Sequence, residues 1–181
     1  MNTAIQTTKF PTPLGDMVAC ATGQGICLLE FVGSRRIGRE QQDLQRLLNL
    51  PLRVGGNIHL EQCADELREY FSGGRTTFEV ALHTPGTPFQ NTTWQALRQI
   101  PYGETVSYRE QATRMGKPSA VRAVANANGQ NRISIIIPCH RVIGADGSLT
   151  GYGGGLQRKQ WLLEHEGGMR AHGRDLFGDA L

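Results

Sequence analysis

Nothing in these 181 residues is long and apolar enough to cross a bilayer, which takes about 20 consecutive apolar residues. The first ten, Met1 to Phe10, lack the apolar core of a secretion signal, so export is not expected. The four cysteines, Cys20, Cys27, Cys63 and Cys139, form no C-x-x-C pair. That spacing predicts neither a dithiol redox motif nor a zinc knuckle. Without export a disulfide framework is not expected either, and the reducing cytoplasm is the expected compartment. There is no internal repeat and no low-complexity tract. Gly151-Tyr-Gly-Gly-Gly155 is rich in glycine but lacks the G-K-[ST] ending of a phosphate loop. Strong charge is also missing. The formal net charge is +3, with 8 Lys/Arg against 9 Asp/Glu in residues 1–85 and 11 against 7 in residues 86–181. A modestly basic second half allows a nucleic-acid partner without requiring one.

What is present suits one large domain or two small ones. Residues 16–22 and 26–32 read as a β-hairpin around Gly23-Gln-Gly25. Residues 39–50 and 59–71 carry apolar residues at helical spacing, and residues 76–82 alternate like a strand. This gives a small N-terminal α/β domain, residues 1–85, with an antiparallel sheet and no recognisable chemistry. His83-Thr-Pro-Gly-Thr-Pro88 reads as the linker. Thr87 then caps a helix, with Pro88 at its first position and Gln90 completing a capping box. Phe89, Trp94 and Leu97 form its inner face. Ser107-Tyr-Arg-Glu110 is a second capping box and opens a helix at Tyr108. A third helix is predicted from Ser119 to Asn128, and a last one from Gln157 to His165. Residues 169–181 read as a loosely held tail.

The stretch Ile135-Ile-Ile-Pro-Cys-His-Arg-Val-Ile143 has the most to say about chemistry. Its branched apolar run predicts a buried strand. Pro138 lacks a donor and would end that strand, leaving Cys139 at its tip. A thiolate is a strong nucleophile, and a nearby imidazole generates it. The competing reading is a buried cysteine acting as a small hydrophobe.

The helices at Tyr108 and Ser119, joined by Gly116-Lys-Pro118, have a helix-turn-helix pattern. The second is rich in small residues, among them Ala120, Ala123 and Ala127. They serve either close packing on the core or close approach to a nucleic-acid backbone. Arg122 among them reads, by itself, as a solvated charge.

Pro138-Cys-His-Arg141 between Ile-Ile-Ile and Val-Ile-Gly resembles the active-site signature of O6-alkylguanine-DNA alkyltransferases. The resemblance extends through Thr87-Pro-Phe-Gln90, Ile100-Pro-Tyr-Gly103, Val106-Ser-Tyr108, Ala120-Val-Arg-Ala-Val124, Asn126-Ala-Asn128 and His165-Glu-Gly167. It covers residues 86–167 almost without gaps, and the first half more loosely.

The resemblance implies an α/β (α+β) protein with an N-terminal sheet domain. Residues 86–168 would form a winged helix-turn-helix domain carrying the active-site Cys. It implies direct, irreversible transfer of an alkyl group from O6-alkylguanine, and also from O4-alkylthymine, in double-stranded DNA. No cofactor takes part. The protein would act as a monomer from the minor groove, after flipping the nucleotide out of the stack. Cys139 is then the acceptor. His140 acts on it through a water, Glu166 supports the imidazolium, and Tyr108 donates to the leaving base. Asn131 pins the loop before the active-site strand. Main chain at Cys139 and Val142 would accept from the guanine amino group, and main chain near Tyr152 and Gly153 would hold O6. Arg122 would fill the place of the flipped nucleotide, with Ser119, Ala120, Ala123 and Ala127 letting the helix sit deep in the groove.

Two departures concern the pocket: Gly153 stands where some relatives carry Ser, and Ser134 where some carry Pro. A structural zinc of some relatives is not expected, because Thr22 occupies one of the ligand places near Cys27. Two other classes remain open at this level. One is a lesion binder that transfers nothing, against which Cys139 itself argues. The other is an unrelated Cys-His hydrolase, which would turn over.

Overall fold

The computed structural model describes residues 3–167; the predicted tail, 169–181, and Gly168 lie outside them. A four-stranded sheet is built from β1 (Ile5–Phe10), β2 (Met17–Thr22), β3 (Gly25–Phe31) and β4 (Leu52–Val54), in the order β3-β2-β1-β4. The predicted hairpin is β2–β3. The antiparallel expectation holds for three strands, but β4 pairs parallel to β1. Helix α1 (Ile37–Leu48) supplies the crossover that a parallel neighbour needs.

The sheet is covered on both faces. Ile5, Cys20, Cys27 and Leu28 pack with Leu44 of α1. The other face carries Met17, Ala19, Ala21, Ile26, Leu29 and Phe31. Against it lie Leu60, Cys63, Leu67 and Tyr70 of α2 (Ile58–Phe71), capped by Asn57 at Leu60 N (3.0 Å). The same core continues into the second half through Trp94, Leu97, Val106, Ile133, residues 135–137 and Leu162. One hydrophobic core therefore spans both halves, and side chains of the sheet reach the C-terminal elements.

Residues 76–82 do not form the predicted strand. Only Leu82 bridges Ile26, while Glu79 N and Val80 N donate to the Glu66 carboxylate at 2.9 and 3.2 Å. A side chain has taken the acceptor role that a neighbouring strand would have filled.

The second half begins with α3 (Pro88–Arg98), where both bonds of the Thr87/Gln90 capping box form. The Ser107/Glu110 box opens α4 (Tyr108–Arg114) in the same way, just after β5 (Val106–Ser107). Helix α5 (Val121–Gly129) starts two residues later than expected, and Ser119 stays exposed before it. Reciprocal amide bonds between Gln111 and Asn128 lock α4 to α5 at 2.6 and 3.0 Å. Trp94 Nε1 donates to Ala127 O at 2.9 Å and fixes α3 on α5. Strand β6 (Val142–Ile143) pairs with β5, and α6 (Leu156–Glu166) closes the described chain. Among the described residues no helix is long and apolar enough to cross a membrane.

The isoleucine run corrects a second expectation. Residues 135–137 are buried but turn instead of extending, with Ile135 at φ 71°, a conformation rare for a β-branched residue. Asn131 explains the turn. Its Oδ1 accepts from Ile133 N at 2.9 Å, and its Nδ2 donates to Ile137 O at 2.9 Å. These bonds fold the run back on itself and satisfy main-chain groups that a ladder would otherwise have paired.

Candidate active site

Pro138 leads into a single 3₁₀ turn, Cys139–Arg141, which separates its three side chains. Cys139 faces a cavity of about 190 Å³, while His140 and Arg141 point into the core. Tyr108, Asn131, Ser134, Tyr152 and Gly153 line the same cavity. Cys139 Sγ accepts from Asn131 Nδ2 at 3.4 Å, so the residue that folds the isoleucine turn also touches the sulfur. Burial raises the Cys139 thiol above its ordinary range; the Asn131 bond and the charge of Lys159 oppose this. The resting group is a thiol that needs a base.

The neighbouring His140 is fully buried. His140 Nε2 lies 2.8 Å from Glu166 Oε1. Its Nδ1 is buried with no hydrogen-bond partner among the described residues. Burial lowers His140 below its ordinary value, against the pull of Glu166, so the ring is a neutral acceptor at rest.

Glu166 has partners on every side. Arg141 grips it with Nε at 2.8 Å and Nη2 at 3.1 Å, and Tyr70 Oη donates to it at 2.7 Å. Burial alone would raise this carboxyl. The hydrogen bonds of His140 and Arg141, with the Arg141 charge, outweigh it and hold Glu166 well below the usual carboxylate range. It therefore stays ionised beside His140. Arg141 also donates to Ile100 O at 2.6 Å, which fixes the guanidinium.

Lys159 is a second buried cation. Its Nζ donates to Val142 O at 2.6 Å and Thr150 O at 2.8 Å. Burial pulls it down to about 8. Tyr108 Oη donates to Thr150 O at 3.1 Å, on the loop that closes the cavity.

The sequence-predicted residues thus fall in different places. Cys139, Tyr108, Asn131, Ser134, Tyr152 and Gly153 share the cavity, and His140 with Glu166 stands behind it. Val142 is fully buried, does not line the cavity, and has its carbonyl engaged by Lys159. Ser119, Arg122 and Ala123 are exposed and Ala120 half-exposed at the start of α5, while Ala125 and Asn128 farther along α5 border the cavity. Ala127 does not belong with that exposed set. It is 2% exposed and packs inward, its carbonyl held by Trp94, because it lies one turn farther along α5, where the helix packs on α3.

Three residues of the first half were missed. Glu30 and Arg36 line the cavity, and Tyr70 holds Glu166. A charge within the otherwise apolar strand Gly25–Phe31 was a legible signal for Glu30. Arg36 and Tyr70 carried none, one resembling surface and the other core. Cys20, Cys27 and Cys63 are free and buried, and Thr22 Oγ1 meets His83 Nδ1 at 2.9 Å.

Residues 88–168 match the model of the 6-O-methylguanine DNA methyltransferase DNA-binding domain. Residues 5–84 match the ribonuclease-like domain of the same family. The methylated-DNA–protein-cysteine methyltransferase of Salmonella typhimurium is 44% identical over 166 residues, 88% of this chain and 94% of that protein. Its Mycobacterium bovis counterpart is 60% identical over 102 residues, 56% of this chain and 62% of that protein. The crystal structure of Mycobacterium tuberculosis OGT in complex with DNA superposes with a TM-score of 0.76 at 41% identity, covering 90% of this chain and 92% of that one. With both halves matched in order around Cys139, the chain belongs to the 6-O-methylguanine DNA methyltransferase family.

Proposed function

We propose that this protein repairs DNA by moving the alkyl group of O6-alkylguanine, and of O4-alkylthymine, onto Cys139, once per molecule. The observation that carries this reading is a cavity-facing thiol backed by a buried His140–Glu166 pair. His140, acting through a water at Nδ1, takes the thiol proton, and the ionised Glu166 stabilises the imidazolium. The thiolate attacks the alkyl carbon. The S–C bond forms, the C–O6 bond breaks, and its electron pair passes to the purine, which Tyr108 relieves with a proton. The thioether has no leaving group for water to displace, so the protein is spent. Asn131 keeps the sulfur in place through the turn it organises.

The base lies inside a stacked duplex and must be extruded to reach Cys139. Exposed Arg122, Ser119, Ala120 and Ala123 support entry of α5 into the minor groove, with Arg122 filling the emptied position. Main chain at Tyr152 and Gly153 holds O6. The DNA complex of the similar M. tuberculosis protein supports a DNA partner here. The protein works as a monomer in the cytoplasm, with residues 1–85 and 86–168 as its two domains. Mass spectrometry after exposure to O6-methylguanine DNA tests the reading. A permanent 1:1 methyl adduct on Cys139 is expected. An unmodified complex would indicate a binder without chemistry, and turnover of an ester or amide would indicate a hydrolase.

A further inference from the structure

We propose that Glu30, Ser134 and Tyr152 form a polar subsite for the transferred group, which favours a hydroxyl-bearing adduct such as 2-hydroxyethyl over its isostere n-propyl. This rests on the alkyl-transfer reading above and names a substrate class for it.

All three residues line the cavity that contains Cys139. Glu30 is fully buried at the end of β3. Buried carboxylates are ordinarily paired or fully hydrogen-bonded. Glu166 is, and so is Glu66, which bonds Gln62, Glu79 N and Val80 N. Glu30 differs. Its Oε1 accepts from Phe31 N at 2.8 Å, and Oε2 has only a long 3.4 Å contact from Ser134 Oγ. Among the described residues it forms no ion pair within 4.0 Å. Ser134 Oγ stands 3.4 Å from both carboxyl oxygens, too far from either for a strong bond. Tyr152 Oη is buried beside the Ser134 hydroxyl without completing a well-formed hydrogen bond among the described residues. Three polar groups with unused capacity thus face one small space. A methyl group uses none of it, and an apolar chain would bury all three unpaired.

Gly153 explains how this wall reaches the cavity. A Cβ there would stand 2.6 Å from Arg36 Nη1 and 3.3 Å from Glu30 Oε2. The missing side chain lets the guanidinium lie over the loop beside Glu30. Arg36 spends its Nη2 on Glu40 at 2.6 Å and on Asn131 O at 3.4 Å. Its Nη1, on the Gly153 side, makes no ion pair with Glu30 within 4.0 Å among the described residues, so it helps to shape the wall while Glu30 keeps its spare acceptor.

The step keeps the balance of methyl transfer. Sγ bonds the CH₂ of the 2-hydroxyethyl group, the C–O6 bond breaks, and its pair goes to the protonated purine. The hydroxyl is carried over unreacted, donating to Glu30 and accepting from Tyr152.

The test uses the intact protein and duplex oligonucleotides bearing one O6-methyl-, O6-(2-hydroxyethyl)- or O6-propylguanine. Single-turnover rates of Cys139 modification are read for each. The hydroxyethyl-to-propyl ratio is divided by that for reaction with a small free thiol, which removes intrinsic reactivity. A wild-type ratio raised about tenfold over the free thiol is expected, the size of one well-made buried hydrogen bond. Glu30→Met should collapse the ratio, and Glu30→Gln, which still donates and accepts, should keep most of it. A wild-type ratio near that of the free thiol, with methyl transfer intact, overturns the subsite and leaves the repair function standing. Loss of methyl transfer in the wild type would instead overturn the function. The wild-type measurement decides even if Glu30→Met does not fold.

Discussion

Glu166 and Glu30 are both buried near Cys139, one from the last helix and one from the sheet, and their environments push them in opposite directions. Glu166 has a bidentate guanidinium, an imidazole and a tyrosine hydroxyl, and is held low. Glu30 has one strong main-chain bond, and burial raises it, with only partial relief from that bond and from Arg36. Desolvation alone would have treated the two carboxyls alike. The partners set the difference: a fixed counter-ion makes Glu166 a permanent charge that can support His140, whereas its absence leaves Glu30 with an acceptor to spare. On the proposed function, reactivity would fall to Glu166 and selectivity to Glu30.

Cys139→Ala removes the acceptor both glutamates serve, and should have the largest effect. Alkyl transfer is expected to be abolished. DNA affinity, which comes mainly from phosphate contacts, should change less than about threefold. Labelled alkyl transfer and a binding titration check both. Residual transfer would identify another cysteine as the acceptor and detach the two glutamates from the chemistry.

Glu166→Gln should come next. An amide cannot support the imidazolium, and alkylation should slow by about 100-fold. Because the defect lies in the chemistry, free O6-methylguanine and duplex DNA should suffer alike in single-turnover assays. An unchanged rate would exclude the relay and reduce Glu166 to a structural anchor for Arg141.

Arg122→Ala separates chemistry from access. If Arg122 fills the vacated stack it offsets an unstacking cost of roughly a few kcal/mol. Its loss should slow repair of duplex DNA by about tenfold or more and leave the free base unaffected. Lys should rescue poorly, since ammonium lacks the planar fork and stacking face of guanidinium. Equal slowing on both substrates would place the fault in the fold or the pocket.

How much of this was legible depends on whether a feature is local in sequence. The capping boxes at Thr87 and Ser107 were readable because each is closed within four residues. Cys139 and His140 are adjacent in one motif, but their side chains part, one to the cavity and one into the core, and the motif alone does not show this. The isoleucine run was misread because a buried apolar stretch has the same sequence signature whether extended or coiled, and Asn131 decided the matter with its side chain. Glu30, Arg36 and Tyr70 reach the site only because one core joins the two halves. Contacts across 96 residues, such as Tyr70 with Glu166, leave no local periodicity to read.

The remaining expected effect is on stability, and it tests the two glutamates directly. Glu166 is depressed in the folded state, so it stabilises the protein above its ordinary value of 4.5, and that contribution is lost as pH falls toward the folded value. Glu166→Gln should therefore cost about 3 kcal/mol at pH 7, because it breaks a buried pair with Arg141, and less at pH 3. Glu30 has the opposite sign. Its folded value is raised above 4.5, so the native state binds the proton more tightly than the unfolded chain does. Stability falls as pH rises from 4.5 through the folded value, and at neutral pH the wild type carries the cost of the buried charge. Glu30→Gln removes that charge while its amide oxygen still accepts from Phe31 N. Its Tm should exceed that of the wild type at pH 7 to 8, and the gain should vanish below 4.5. Calorimetry of wild type and both variants between pH 3 and 8 reads the two slopes together. A Glu30→Gln variant that loses stability at pH 8, as Glu166→Gln does, would mean that Arg36 acts as a true counter-ion to Glu30. The spare acceptor in the cavity would then not exist.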